Sequence, residues 1–139
     1  MTPEQAQTLF GPGARFHHVG LGVRSIEQAV SGLEVFEDPI QRVRVAFTEL
    51  AGVPIELIEP AAENSPIDQS LRKGSKLLHL CYEVPSLKVA MDSAKPHGFR
   101  KVSREEPAVA FEMRKIVWLF HAVFGLIELV EAEQSSANQ

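Results

Sequence analysis

The sequence predicts an α+β fold made of one strand-rich unit written twice. Three observations point there. The stretch Ile55-Glu56-Leu57-Ile58-Glu59 returns near the C-terminus as Ile127-Glu128-Leu129-Val130-Glu131. An earlier pair goes with it. His18-Val-Gly-Leu-Gly-Val-Arg-Ser-Ile reads like His79-Leu-Cys-Tyr-Glu-Val-Pro-Ser-Leu, so that Val23 matches Val84, Ser25 matches Ser86, Ile26 matches Leu87 and Ala29 matches Ala90. Between the paired stretches, each copy reads strand, helix, then two or three strands. A repeat of this kind sets the architecture before any single element does.

The elements follow in order. Thr2-Pro3-Glu4 is a helix start, with a capping hydroxyl, then proline, then an acid in the first turn. A short helix is expected over residues 3–10, in an N-terminal extension of residues 1–15 closed by Gly11-Pro12-Gly13. Phe16 to Val23 is a strand whose Gly20 and Gly22 allow close backbone approach where a sheet curves. Ser25-Ile26-Glu27-Gln28 is a capping pattern, so a helix begins near Ile26, and Gly32 cuts it short. Glu34 to Pro39 is a weak strand or connector. Arg42 to Leu50 alternates, with Val43, Val45 and Phe47 on one side, as a half-buried strand does. Pro54 to Glu59 is the next strand, and residues 61–75 are a loop between the modules.

The second copy opens on the strand Leu77 to Val84. Ser86 caps a helix running to about Ala94, which Pro96 and Gly98 end. Phe99 to Ser103 is a short strand, and Arg104 to Glu112 is a loop around Pro107. Met113 to Phe120 and Gly125 to Glu131 are the last two strands. One domain is expected over residues 16–131, with modules 16–60 and 76–131, followed by a disordered tail over residues 132–139. His18 and Glu56 are 38 positions apart, whereas His79 and Glu128 are 49, so the first module is shortened by 11 residues. The shortfall lies between the first helix and Arg42.

The totals exclude several classes. The chain has 139 residues, 45% of them hydrophobic and 23% charged, and a net charge of -4. This is the composition of an ordinary globular protein, and it lacks the basic balance of a nucleic-acid or anionic-membrane binder. No apolar run is long enough to span a bilayer. Met1-Thr-Pro-Glu-Gln shows neither the basic nor the apolar region of a secretion signal. The single cysteine, Cys81, excludes an internal disulfide and cysteine-rich zinc sites, and it fits a cytoplasmic protein.

Side chains alternate across a strand. Glu56 therefore shares a face with Ile58, opposite Ile55, Leu57 and Glu59. Its apolar flanks make it costly to bury unless it is paired or binds a cation. The same holds for Glu128, whereas Glu59 and Glu131 are expected to face solvent. Pseudo-twofold symmetry between the repeats would bring His18 to His79 and Glu56 to Glu128. Two imidazoles and two carboxylates suit a mid-to-late first-row divalent ion. Other residues have plainer expected places. His17 has the opposite parity to His18 and should point outward. His97 sits in a helix terminator and should be solvated. His121, at a turn, is an outside candidate for substrate contact. Cys81 is expected as a buried, inert thiol, Glu105 and Glu106 as a solvated charge pair, and Trp118 and Phe120 as core.

This arrangement resembles the vicinal-oxygen-chelate superfamily, the glyoxalase I and methylmalonyl-CoA epimerase group. The residues that carry the likeness are His18-Val-Gly-Leu-Gly-Val, Val43-Arg-Val-Ala-Phe, Ile55-Glu-Leu-Ile-Glu-Pro followed by Asn64-Ser-Pro-Ile, Leu78-His-Leu-Cys-Tyr-Glu-Val, and Leu126-Ile-Glu-Leu-Val-Glu. The resemblance implies two βαβββ modules forming an open, incomplete β-barrel around a cavity. It implies His18, Glu56, His79 and Glu128 as ligands of a divalent metal ion such as zinc, cobalt, nickel or manganese. It also implies an isomerase, epimerase or lyase that moves a proton beside a chelated carbonyl of a small-molecule substrate or acyl thioester. Glu128 is then the first choice of base, with Glu56 the other catalytic carboxylate, and a homodimer is a possible assembly. The sequence departs from the pattern in three places. Val45 stands where some epimerases carry a second glutamate, the first module is shortened, and Pro107-Ala-Val-Ala-Phe-Glu replaces a loop that usually holds glycines. Two other readings remain. Two histidines and a carboxylate suit non-haem iron and dioxygen chemistry, and relatives that sequester antibiotics use the cavity without catalysis.

Overall fold

The protein is described here by a computed structural model, which describes residues 1–133. The expected tail therefore lies outside the described residues from 134 onward, while Ala132 still donates its backbone N–H to Val84 at 2.8 Å. Both modules form as the repeat requires. The first contains β1 (Arg15–Gly22), α2 (Ile26–Ala29), β2 (Phe36–Asp38), β3 (Val43–Leu50) and β4 (Val53–Pro60). The second contains β5 (Leu77–Val84), α4 (Leu87–Ala94), β6 (Arg100–Lys101), β7 (Glu106–Ala108), β8 (Arg114–His121) and β9 (Gly125–Glu131). The N-terminal helix α1 (Pro3–Gln7) has its capping box between Thr2 and Gln5. Phe10 behind it packs on the second module, with its ring 5.0 Å from Tyr82 and 5.7 Å from Phe99.

The strands form one open sheet in the order β2-β3-β4-β1-β5-β9-β8-β6, with β7 beside β8. Within each module the first and last strands run parallel, β1 beside β4 and β5 beside β9. The modules join through the antiparallel pair β1–β5. The pseudo-twofold axis passes through that pair, so the matching positions of both modules lie beside it. Ile26, Ala46, Ile55 and Leu57 form a core under α2. Leu87, Ala90, Ala94, Val117, Leu119 and Leu129 belong to the larger core under α4. The opposite, inward face of the sheet carries Val43, Val45 and Ile58 from one module and Phe111, Ile116 and Val130 from the other.

Two segments differ from expectation. The linker holds a helix, α3 (Asp68–Arg72), where a loop is expected. Ser65 N donates to the Asp68 carboxylate at 3.1 Å and Asp68 N to Ser65 O at 3.0 Å, a side-chain and backbone exchange that starts the turn. The signal was Ser65-x-x-Asp68, half a capping box, set among residues typical of loops. The expected loop over Arg104–Glu112 contains β7 and a 3-10 turn over Val109–Phe111. Glu106 is not merely solvated, because its carboxylate accepts from Gln41 Nε2 at 3.0 Å.

The first module is indeed curtailed, since α2 has 4 residues against 8 in α4. What the short module leaves open is bridged by side chains. Asp38 Oδ1 accepts from the Ile40 and Gln41 N–H groups, each at 3.0 Å, while Oδ2 accepts from Val109 N at 3.4 Å. Gln41 also accepts from Trp118 Nε1 at 3.3 Å. The far edges of the open sheet are thereby tied across the cavity mouth.

Glu59 and Glu131 correct a further expectation. They lie on the face opposite Glu56 and Glu128, as parity requires, yet they do not simply face solvent. Glu59 accepts from Ile26 N at 3.3 Å and Glu131 from Leu87 N at 3.2 Å. Each carboxylate thus occupies a helix N-terminus, where unpaired N–H groups and the helix dipole favour an anion.

The β1–β5–β8 junction carries a third acid. Glu83 pairs with Arg15 and with Arg114, the latter at 2.8 Å. The Arg114 hydrogen bond, opposed by burial and helped by Arg15, holds the Glu83 carboxyl below its ordinary value. A depressed carboxyl contributes stability that is present above its unfolded pKa and lost as pH falls through the folded one. Urea unfolding should therefore show less loss of stability between pH 6 and pH 3.5 in Glu83→Gln than in the parent. An equal loss in both proteins would contradict this assignment.

Candidate metal centre

The four residues singled out from the repeat converge. His18 Nε2 lies 3.2 Å from His79 Nε2, 3.4 Å from Glu56 Oε1 and 3.3 Å from Glu128 Oε1. His79 Nε2 lies 3.6 Å from Glu56 Oε1 and 3.3 Å from Glu128 Oε1. All four side chains are buried.

Sheet register explains the convergence. Across neighbouring strands one row reads Phe47, Glu56, Gly20, His79. A second row reads Trp118, Glu128, Cys81, His18. Each row is an aromatic ring, a carboxylate, a small residue and an imidazole, and the two run in opposite senses. The small residue is the reason a histidine and a glutamate two strands apart can meet. A Cβ on Gly20 would lie 2.2 Å from His79 Cε1, so the imidazole lies directly against this glycine. Trp118 holds the other side of the His79 ring, perpendicular at 4.7 Å. It packs against the core, as expected, and also lines the cavity.

The donor set fits a divalent ion. Ligands at 2.0–2.1 Å from zinc stand about 2.8–3.4 Å apart, from a right to a tetrahedral ligand–metal angle, and the distances here, from 3.2 to 3.6 Å, lie around the tetrahedral end of that range. Glu128 Oε1 is fully buried with no hydrogen-bond partner of proper angle, although two ring nitrogens face it at 3.3 Å. A buried oxygen in that position is satisfied by a cation held in common with the nitrogens.

The buried groups of this cluster act on one another. Burial opposes charge on His18, but its contacts with Glu128 and Glu56 prevail and raise it to about 9. Burial raises Glu56 above the ordinary carboxylate value. Burial acts in the same sense on Glu128, but there the two histidines outweigh it and hold the group well below that value. Burial first, then the charges of Glu128 and Glu56, push the Cys81 thiol up, so it is an inert sulfhydryl behind the site, as expected.

The site opens into a cavity of about 470 Å³. Val43, Val45 and Ile58 line one wall and Ile116, Phe111 and Trp118 the other. Pro66, Ile67 and Ser70, at and before α3, close one end, so the linker is part of the pocket. Val45 faces the cavity, so that wall is apolar at this position.

Two histidines lie elsewhere than expected. His17 is half-buried beside His18 rather than outward. The β1–β5 register shifts between Phe16 and His18, and this bulge breaks the alternation on which the parity argument relied. His121 is not a cavity residue. Its Nδ1 accepts from Val123 N at 2.9 Å and its Nε2 faces the His97 carbonyl at 3.0 Å, which closes the β8–β9 turn.

Comparison with known proteins accords with this geometry. Residues 17–118 match the family model of the Glyoxalase/Bleomycin resistance protein/Dioxygenase superfamily. The chain belongs to this superfamily. Among curated superfamily relatives, the ethylmalonyl-CoA/methylmalonyl-CoA epimerase of Cereibacter sphaeroides is 33% identical over 131 residues, covering 86% of this chain and 97% of that one. A hypothetical protein of Bacillus halodurans has a similar structure, with a TM-score of 0.71, 27% identity, and coverage of 91% of this chain and 99% of that chain. The methylmalonyl-CoA epimerase of Mycobacterium tuberculosis shares the fold at a TM-score of 0.71 and 24% identity, over 89% of this chain and 91% of that chain.

The close contact at Gly20 yields a test independent of any ligand substitution. Gly20→Ala should displace the His79 ring and weaken zinc or cobalt binding at least about tenfold, as His79→Ala should. Gly22→Ala is the control, because its Cβ would meet only the flexible ends of Leu71 and Leu78 at 3.2 Å. Metal titration of the three variants checks this, and parental affinity in Gly20→Ala would show that the ring position does not govern binding.

Proposed function

We propose that this protein is a divalent-metal-dependent epimerase that removes and returns the proton beside the carbonyl of a small acyl thioester. The observation that carries the reading is the convergence of two imidazoles and two carboxylates, one of each from either module, at the wall of an apolar cavity. The relation to an epimerase of ethylmalonyl-CoA and methylmalonyl-CoA supports the substrate class.

His18, Glu56, His79 and Glu128 would hold the ion, whose chemistry is to act as a Lewis acid on the carbonyl and lower the cost of the adjacent carbanion. The chain's own residues do the rest. Glu128 is the base. It belongs to the cavity lining while its Oε1 faces the two histidine nitrogens at 3.3 Å, so its carboxylate would detach partly from the ion to take a proton from a substrate held there. Glu56 faces the same histidine nitrogens from the opposite module, so a substrate between the modules meets a carboxylate from each. It is the candidate second acid–base group, because Val45 supplies none. The walls formed by Val45, Ile58, Phe111 and Ile116 exclude water, which strengthens the charges inside and limits proton leakage.

The same Val45 favours one alternative. An isomerase that returns the proton from a single carboxylate, acting on a methylglyoxal–glutathione adduct, needs no second base on that wall.

Deuterium exchange from solvent into methylmalonyl-CoA, ethylmalonyl-CoA and the glutathione adduct separates these readings. Zinc-, cobalt- or manganese-loaded protein should exchange the proton of the thioesters, and Glu128→Gln should slow exchange by about 10²-fold or more. Turnover of the glutathione adduct alone would select the isomerase. No exchange into any of them, with metal bound, would leave a binding protein.

A further inference from the structure

His17 has no counterpart in the repeat, because the residue before His79 is Leu78, which lines the cavity. At this position the two units diverge, and the structure shows a contact to match. His17 Nδ1 lies 2.8 Å from His18 Nδ1. Two ring nitrogens at that distance share one proton, so one donates and the other accepts. The pair is enclosed by the same two rings. Phe111 stacks on His18 at 5.9 Å and meets His17 edge-on at 5.3 Å, while Phe47 lies 5.6 Å from His18 and 6.2 Å from His17.

The direction of the hydrogen bond follows from the other end of the His18 ring. Its Nε2 faces His79 and both carboxylates. A neutral imidazole that offers its Nε2 lone pair to a cation carries its proton on Nδ1. We propose that His17 is a positioning residue for this centre: its Nδ1 accepts a hydrogen bond from His18 Nδ1–H and holds His18 in the tautomer and orientation that present Nε2 to the site. This rests on the metal-binding reading above. The bulge at Phe16–His18 is the backbone device that makes it possible, since regular alternation would send neighbouring side chains to opposite faces. His79 is oriented differently, by the surface of Gly20 and the edge contact with Trp118.

Cobalt titration, read by the visible absorption of the bound ion, tests the proposal with two variants. His17→Leu keeps an apolar side chain between Phe47 and Phe111 but removes the acceptor. His17→Asn restores it, because Asn Oδ1 is two bonds from Cβ, as His Nδ1 is. The expected result is a loss of about 10–100-fold in affinity for His17→Leu and recovery to within a few-fold of the parent for His17→Asn. Parental affinity in His17→Leu, or equal losses in both variants, overturns the proposal. Long-range proton–nitrogen NMR on the zinc-loaded parent needs no variant to fold. It should show a protonated His18 Nδ1 and an unprotonated His17 Nδ1, and the reverse pattern also overturns it. Failure of the parent itself to bind cobalt or zinc is a different outcome. It removes the metal reading, and this inference with it.

Discussion

The constraint on which the structure depends is the burial of two imidazoles and two carboxylates in contact at one point of an apolar sheet. Left unpaired, each of these groups would resist removal from water. Together they are tolerable only if their polar atoms meet one another or a shared cation, and that requires positions fixed to a few tenths of an ångström. The antiparallel pair β1–β5 provides the fixing. It sets the two modules in a register that places Gly20 beside His79 and Cys81 beside His18. Because both intervening residues are small, each ring lies over a neighbouring strand and meets the carboxylate beyond it. A larger residue at Gly20 would occupy the volume now taken by the His79 ring.

The outer face answers to the same demand. The closing strand of each module carries two glutamates with opposite duties. The first points into the cavity, and the second binds the N-terminus of the module's own helix. One short motif thereby links the inner site to the outer layer. This also explains how a helix of four residues persists in the first module. Its Ser25 Oγ accepts from Gln28 N, Glu59 accepts from Ile26 N, and buried Ile26 anchors it to the sheet. So short a helix draws little stability from its own hydrogen bonds.

Much of this was legible from residues alone, because the repeat and the strand period are strong signals. The module order, the face shared by Glu56 and Ile58, and the partnership of the two histidines with the two glutamates all follow from spacing and symmetry. The failures share a physical origin. Parity holds only while pairing is regular, and a one-residue bulge undid it at His17. The roles of Glu59 and Glu131 escape sequence reading because each accepts from a backbone N–H at a helix start, which no sequence pattern displays. Helix α3 was hidden by its proline and glycine neighbours. Trp118 serves both core and cavity wall, which are equally apolar in sequence. The clasp of Asp38 and Gln41 on the second module is a contact over 65 or more positions, beyond any local signal.

The symmetric and asymmetric residues divide the labour. Those that match across the repeat, His18 with His79 and Glu56 with Glu128, form the buried polar cluster, so the cavity presents much the same groups from either module. Discrimination must then come from where the copies differ. The differences gather around the cavity: Val45 on the first module's wall, α3 at one end, and β7 with its 3-10 turn across the mouth. The shortened first module has no longer helix to extend over this region, so Asp38 and Gln41 reach to the second module instead. Three hydrogen bonds from Asp38 and Gln41 join the opposite sheet edges at the cavity mouth, and none of them belongs to the strand pairing of the sheet. Such a closure yields to a ligand more readily than a continuous barrel, whose strands would have to part.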